Sequence, residues 1–249
     1  YIQMLLADSC FNITHDSFMN DLDETIQRAE SHEVKYFFAP AARESEIENL
    51  LHHCKVYEGK IYCSIGIHPH YASELKPNTI ANLKPHLKNK YVRSIGEVGL
   101  DYFRNFQSPE IQIKCFETFV ELAIEENYPL FLHHREAFND FYPILKNSIH
   151  KLPHSIVHCF TGNKNELKKF LDLGLFIGIT GWVCDPKRGQ ELREIIKYIP
   201  IDRMVLETDA PYLLPNFCHQ LQVYVFPPSE AVLSVLDKYA LSSSLILID

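Results

Sequence analysis

The chain has 249 residues, 46% hydrophobic and 22% charged, with a formal net charge of -8. That balance suits one large globular domain over residues 1–249 and excludes a disordered chain, and the acidic surplus excludes a protein that grips nucleic acid through a broad basic face. No apolar run approaches the roughly 18 residues of a membrane span, and seven scattered cysteines without a CxxC pair exclude a disulfide framework, so a cytoplasmic protein without membrane contact or obligate protein partner is expected.

Eight short apolar runs follow one another along the chain. They are Met4 to Ala7, Val34 to Ala39, Ile61 to Ile67, Tyr91 to Ile95, Pro129 to Leu132, Ser155 to His158, Leu175 to Ile179 and Arg203 to Glu207. Each reads as a buried strand, and helical stretches lie between them. Met19, Leu22, Ile26 and Ala29 share one helix face, with Asp16 as the expected N-cap. Ser108 and Pro109 open a second amphipathic helix through Phe116, Phe119 and Leu122. Gly174 should stop a third after KNELKKFLDL. Strands alternating with helices at this length predict a (β/α)8 TIM barrel, a doubly wound open sheet being the alternative.

The chemistry sits at the ends of the runs. VRSIGEVGLD carries Glu97, PLFLHHR carries His133, SIVHCFTG carries His158, and RMVLETDAPYLLP carries Asp209. Any one of these alone reads more readily as a structural residue. Four carboxylates and imidazoles at corresponding places in a barrel read as a site for Mn, Zn or Mg with positions left for water and substrate. Ligand types at the ends of the first and last runs favour closure, because only a barrel brings those strands together.

The segments GIHPH (66–70), IGEVGLDYFRN (95–105), FLHHREA (131–137), VHCFTG (157–162), GITGWVCD (178–185) and ETDAPYLLP (207–215) resemble the TatD family of metal-dependent deoxyribonucleases, TIM barrels of the amidohydrolase-like superfamily. The resemblance spans about Leu6 to Pro215. It implies Mg²⁺-dependent hydrolysis of DNA, 3′ to 5′ on single strands, by a cytoplasmic protein. It also implies metal binding by Glu97, His133 and His158, with Asp209 completing the site or acting on the attacking water. Phosphodiester cleavage needs a cation to polarise the phosphoryl oxygens and a carboxylate to orient or deprotonate water. Glu97 and Asp209 are accordingly the expected catalytic carboxylates, and all four residues the metal ligands. His68 and Arg135 are the expected phosphate contacts, Arg135 in bidentate fashion. Glu207 and Asp101 are expected to orient ligands, and Trp182 to pack at the rim or stack on a base.

The sequence leaves the family pattern in two places. Where many members have a His-x-His pair after the first strand, this chain has Cys10 and Asn12 in DSCFNIT, close to the Asn-Leu-Thr variant of the TatD branch; fewer tightly held metals are expected than in members with the pair. Beyond Pro215 the run NFCHQLQVYVFPP does not match the family's Arg-Asn-Glu-Pro segment, so 216–249 is read as an atypical C-terminal segment that weakens barrel closure. Two other readings stand beside the nuclease. A small-molecule amidohydrolase is opposed by Glu97 standing where many such enzymes have a metal-bridging Lys. A catalytically impaired barrel acting as a binding protein is opposed by the retained set of four ligand types.

Overall fold

The computed structural model describes residues 6–214. Eight strands pair in sequence order, all parallel: β1 (Leu6–Asp8), β2 (Val34–Pro40), β3 (Ile61–Ile65), β4 (Val92–Asp101), β5 (Leu130–Arg135), β6 (Ile156–His158), β7 (Phe176–Ile179) and β8 (Met204–Leu206). The α-helices α1 (Leu22–Ser31), α2 (Ile47–Val56), α3 (Thr79–Leu87), α4 (Pro109–Glu126), α5 (Phe138–Ser148), α6 (Lys164–Asp172) and α7 (Gln190–Ile195) run between them. β1 to β7 are largely buried on both faces, as a parallel sheet under a layer of helices requires, and β8 is half-buried; in β4 every residue but Arg93 is buried.

Closure happens just past the ends of β1 and β8. Ser9 N–H donates to Leu206 O at 3.3 Å, Asp209 N–H to Cys10 O at 2.8 Å and Asn12 N–H to Ala210 O at 3.0 Å. Phe11 and Ala210 form a parallel bridge. The Asp8 carboxylate adds a side-chain tie, accepting from Thr208 N at 2.9 Å and Cys10 N at 3.1 Å. The result is a nearly closed eight-stranded barrel, which removes the open-sheet alternative.

Some expected boundaries move. α1 begins at Leu22 with Asp21 at its N-cap; Asp16 instead opens a separate 3-10 turn, Asp16–Phe18, capped by the His15 side chain. Met19 is therefore off the helix and 74% exposed. Asn20 and Asp21 favour turns over helix interior, which delays the start. The Ser108–Pro109 start of α4 and the Gly174 stop after α6 are as read from the sequence, and Gly174 has φ +78°. The segment 216–249, expected to weaken barrel closure, lies outside the described residues, as do Met4 and Leu5 of the first run.

The largest change is in β4, which continues to Asp101 rather than ending at Ile95. Ile95 pairs with Leu130 and Val98 with Leu132, so β4 carries one extra residue across this stretch. That is a β-bulge at Gly96 and Glu97, which re-aims a side chain without ending the strand. Gly99, just beyond it, has φ +149°, and a Cβ there would overlap the carbonyl oxygen of His133 on β5. Only glycine allows the two backbones to come this close.

Adjacent histidines on β5 show the period-2 rule at work. His133 points into the barrel, whereas His134 turns out into an aromatic layer of Phe138, Phe141 and Phe170. Both His134 ring nitrogens are buried without a hydrogen-bond partner, and burial pulls its pKa down to about 3. His134 is thus a neutral packing residue. Among the described residues no helix is long and apolar enough to cross a membrane.

Gly99→Ala is expected to lower stability by about 3 kcal/mol, through a positive-φ side chain and a backbone clash that forces β4 from β5. Urea unfolding followed by circular dichroism measures it, and a loss below about 1 kcal/mol would contradict the close-approach account.

Candidate metal centre

Glu97, His133, His158 and Asp209 converge at the C-terminal mouth of the barrel although they come from different structural settings. Glu97 rides the β4 bulge. His133 lies within β5 and aligns with Gly99 on one side and His158 on the other. His158 is the last residue of β6, and Asp209 lies three residues beyond β8. Glu97 and His133 are therefore inside their strands rather than at strand ends as the sequence pattern suggested.

The distances define one cluster. Glu97 Oε1 is 2.7 Å from His133 Nδ1, 3.4 Å from His68 Nε2 and 3.8 Å from His158 Nε2. Asp209 Oδ1 is 3.8 Å from His158 Nε2 and 3.7 Å from Cys10 Sγ. Two donor sets result, His68–Glu97–His133 and Cys10–His158–Asp209, and within each the ligand atoms lie within 4.8 Å of one another. His68, expected at a phosphate, is instead 8% exposed and packed against Glu97 and His133. The other expected phosphate contact, Arg135, is the last residue of β5 and packs over Phe103 and Trp182.

A second layer of contacts fixes these side chains. His158 Nδ1 is 3.0 Å from Glu207 Oε2, which also accepts from Cys159 N at 2.9 Å. His133 Nε2 is 3.2 Å from Asp101 Oδ2, and His70 Nε2 reaches the same oxygen at 2.8 Å. An imidazole whose far nitrogen bonds a carboxylate is held in one orientation and made more basic. Asn12 Nδ2 donates to Asp209 Oδ1 at 3.0 Å and to Ala210 O at 3.1 Å. These contacts hold Asp209 in its left-handed conformation, φ +56°.

Glu207 and Asp101, expected to orient ligands, contact His158 and His133. His70 and Asn12 were not assigned such roles from the sequence. The signal for His70 was present in GIHPH as a second histidine two residues after His68, whereas nothing in DSCFNIT told which backbone and carboxylate groups Asn12 would reach.

Burial works against charge on Glu97, but the charge of His158 and the hydrogen bonds from His133 and His68 hold its carboxyl well below the usual range. Burial wins at Asp209 and pushes its carboxyl up to about 6; His158 opposes this and Glu97 adds repulsion. At His158 burial is overcome by Glu207, Glu97 and Asp209, which raise it to about 10. Burial keeps His68 neutral, its pKa near 4. Among the described residues no Lys or Arg pairs with Glu97, Asp209 or Glu207. The buried anions are balanced by imidazolium alone, a role a divalent cation fills when the imidazoles are neutral. The mixed oxygen and nitrogen donors fit such an ion.

Comparisons with known proteins bear on the family and the fold. The model of the family described as TatD related DNase matches residues 7–238. The chain is 44% identical over 211 residues to a protein of Erwinia tasmaniensis named 3′-5′ ssDNA/RNA exonuclease TatD, covering 85% of this chain and 82% of the relative. A protein of the same name from Klebsiella pneumoniae is 42% identical, covering 85% and 80%. Among solved structures, a hydrolase TatD family protein from Entamoeba histolytica superposes with a TM-score of 0.77 at 26% identity, over 92% of this chain and 82% of that one. The TatD homologue YJJV from Escherichia coli gives 0.78 at 25% identity, over 96% and 90%.

The charge balance generates a pH test. Metal-free His158 is protonated at pH 7.5, and Asp209 takes up a proton as pH falls through about 6. A cation must displace both protons, so Mn²⁺ binding should release protons at pH 7.5 and weaken by at least about tenfold between pH 7.5 and 5.5. Calorimetry in buffers of different ionisation enthalpy reads both. A flat affinity without proton release would contradict the balance described.

Proposed function

The chain belongs to the TatD-related DNase family, and from that premise we propose that it is a metal-dependent 3′-5′ exonuclease acting on single-stranded DNA. The observation that carries this reading is the convergence of Glu97, His133, His158 and Asp209 at the barrel mouth, with buried anionic charge that calls for a divalent cation. We assign Glu97, His133, His158 and Asp209 to hold that cation, Mg²⁺ first among Mn²⁺ and Zn²⁺, and add His68 to the set in place of its expected phosphate contact. Free cysteines throughout the described residues suit a cytoplasmic setting, and 1–249 is taken as one domain.

A bound divalent cation supplies positive charge to the phosphoryl oxygens and lowers the pKa of water in its reach. The chain's own residues do the rest. Asp209 Oδ1, oriented by Asn12, faces the same space as His158 Nε2 and takes the proton of the attacking water. Glu97 stays ionised among three imidazoles and keeps the negative side of the site fixed through the reaction. Glu207 and Asp101 hold His158 and His133 in their working tautomers. Arg135, two residues beyond His133 on the same strand face, offers paired N–H donors to a phosphate.

A 3′-labelled and a 5′-labelled single-stranded oligonucleotide, each with Mg²⁺ and with an EDTA control, test the reading. Stepwise loss from the 3′ end that EDTA abolishes is the expected result; no cleavage with any of Mg²⁺, Mn²⁺ or Zn²⁺ would sink it. Glu97→Ala and His158→Ala should each cut turnover at least about 100-fold with the circular dichroism spectrum unchanged. A folded variant of either kind with near-native turnover would remove that residue from the site.

A further inference from the structure

Arg135 is an unusual cation. Its guanidinium carbon lies 3.8 Å from the Phe103 ring centre and 5.4 Å from that of Trp182. It is half-buried, yet among the described residues no carboxylate or carbonyl oxygen accepts a hydrogen bond from it. Stacking on aromatic faces fixes the plane of the guanidinium while leaving its in-plane N–H donors open. The neighbouring Arg188 behaves differently: it covers Trp182 at 4.4 Å but is bonded to Asp185 at 2.7 Å, so its charge is spent within the protein. Arg135 is thus a preoriented donor fork without an acceptor among the described residues, on the strand that carries His133.

Phe103 is the second part. It stands on the loop between β4 and α4, two residues after the Asp101 that bonds His133, and it is 50% exposed. The ring receives Arg135 at 3.8 Å and, more distantly, the Arg104 guanidinium at 5.9 Å, while half of this large apolar side chain is left in water. An anion joined to a flat apolar group satisfies both at once: the anion takes the donor fork, and the flat group covers the ring. A nucleotide has this construction.

We propose that Arg135 and Phe103 form a nucleotide subsite, Arg135 binding a backbone phosphate and Phe103 stacking the adjoining base. The inference rests on the exonuclease reading and adds a basis for its substrate class. Every base has a π-face, so the subsite tolerates any sequence. A base can reach it only when unstacked from its neighbours and free of a complementary strand, so the subsite selects single strands over duplex.

Binding without turnover separates this inference from the nuclease reading. Fluorescence anisotropy of the metal-loaded full chain would use labelled phosphorothioate hexathymidylate, which resists hydrolysis, and the same backbone with abasic residues. The base-bearing oligomer should bind at least about fivefold more tightly. Phe103→Leu, which keeps apolar bulk and lacks a π-face, should abolish that preference, and Phe103→Tyr should retain it. Equal affinity of the native chain for the two oligomers, or a preference that survives Phe103→Leu, overturns the subsite even if the protein cleaves DNA.

Discussion

The arrangement of the barrel mouth depends on one ionised carboxylate held among imidazoles. Glu97 Oε1 has His133, His68 and His158 nitrogens at 2.7, 3.4 and 3.8 Å, and burial alone would neutralise it. The imidazoles keep it charged, and its charge in turn raises His158 and repels Asp209. Desolvation makes each of these couplings strong, because a low-dielectric cleft screens little. Removing one member would change the protonation of the others.

Backbone geometry places that carboxylate. The extra residue in β4 turns Glu97 inward, and Gly99 lets β4 and β5 remain paired immediately afterwards, which brings Gly99, His133 and His158 into line. The far side of the site is assembled at the barrel seam. Asp209 is held by Asn12 and by the Cys10 carbonyl, and Asp8 ties Thr208 to the end of β1. Burial pushes the Asp8 carboxyl up to about 7, against the hydrogen bonds from Thr208 and Cys10. A folded-state pKa above the unfolded one means that Asp8 favours the fold at low pH and that this contribution is lost as pH rises toward 7. Fold and site share the seam, since the contacts that close the barrel also orient Asp209.

Most of the fold was legible because buried parallel strands leave uninterrupted apolar runs, and the alternation of such runs with amphipathic stretches has few architectural solutions. The four central side chains were legible because each carries a metal-binding group beside a run. The β4 bulge was not: register is a property of two strands, and nothing local to IGEVGLD says where it will pair with β5. For the same reason the sequence ended β4 six residues early, and placed Glu97 at a strand end.

His68 was visible by type, its chemistry suiting a phosphate as well as a cation, but its 3.4 Å approach to Glu97 was not. The paired histidines of β5 could not be told apart by type, although period-2 alternation sends one inward and the other into the aromatic layer. Phe103 carried no sequence signal of its own; it gains meaning only from the unpaired guanidinium beside it. The departures at Cys10 and Asn12 were read as lost imidazoles, and the structure shows what stands in their place: a thiol 3.7 Å from Asp209 and an amide that anchors the same carboxylate.

The central claim is that the carboxylates and imidazoles of the barrel mouth are built around a divalent cation. Anomalous diffraction from crystals soaked in Mn²⁺ tests it most directly. The account predicts a strong peak bounded by Glu97, His133, His158 and Asp209, lost in Glu97→Ala crystals of unchanged fold. A mouth without a peak at saturating Mn²⁺, or a peak held only by residues outside this cluster, would contradict it.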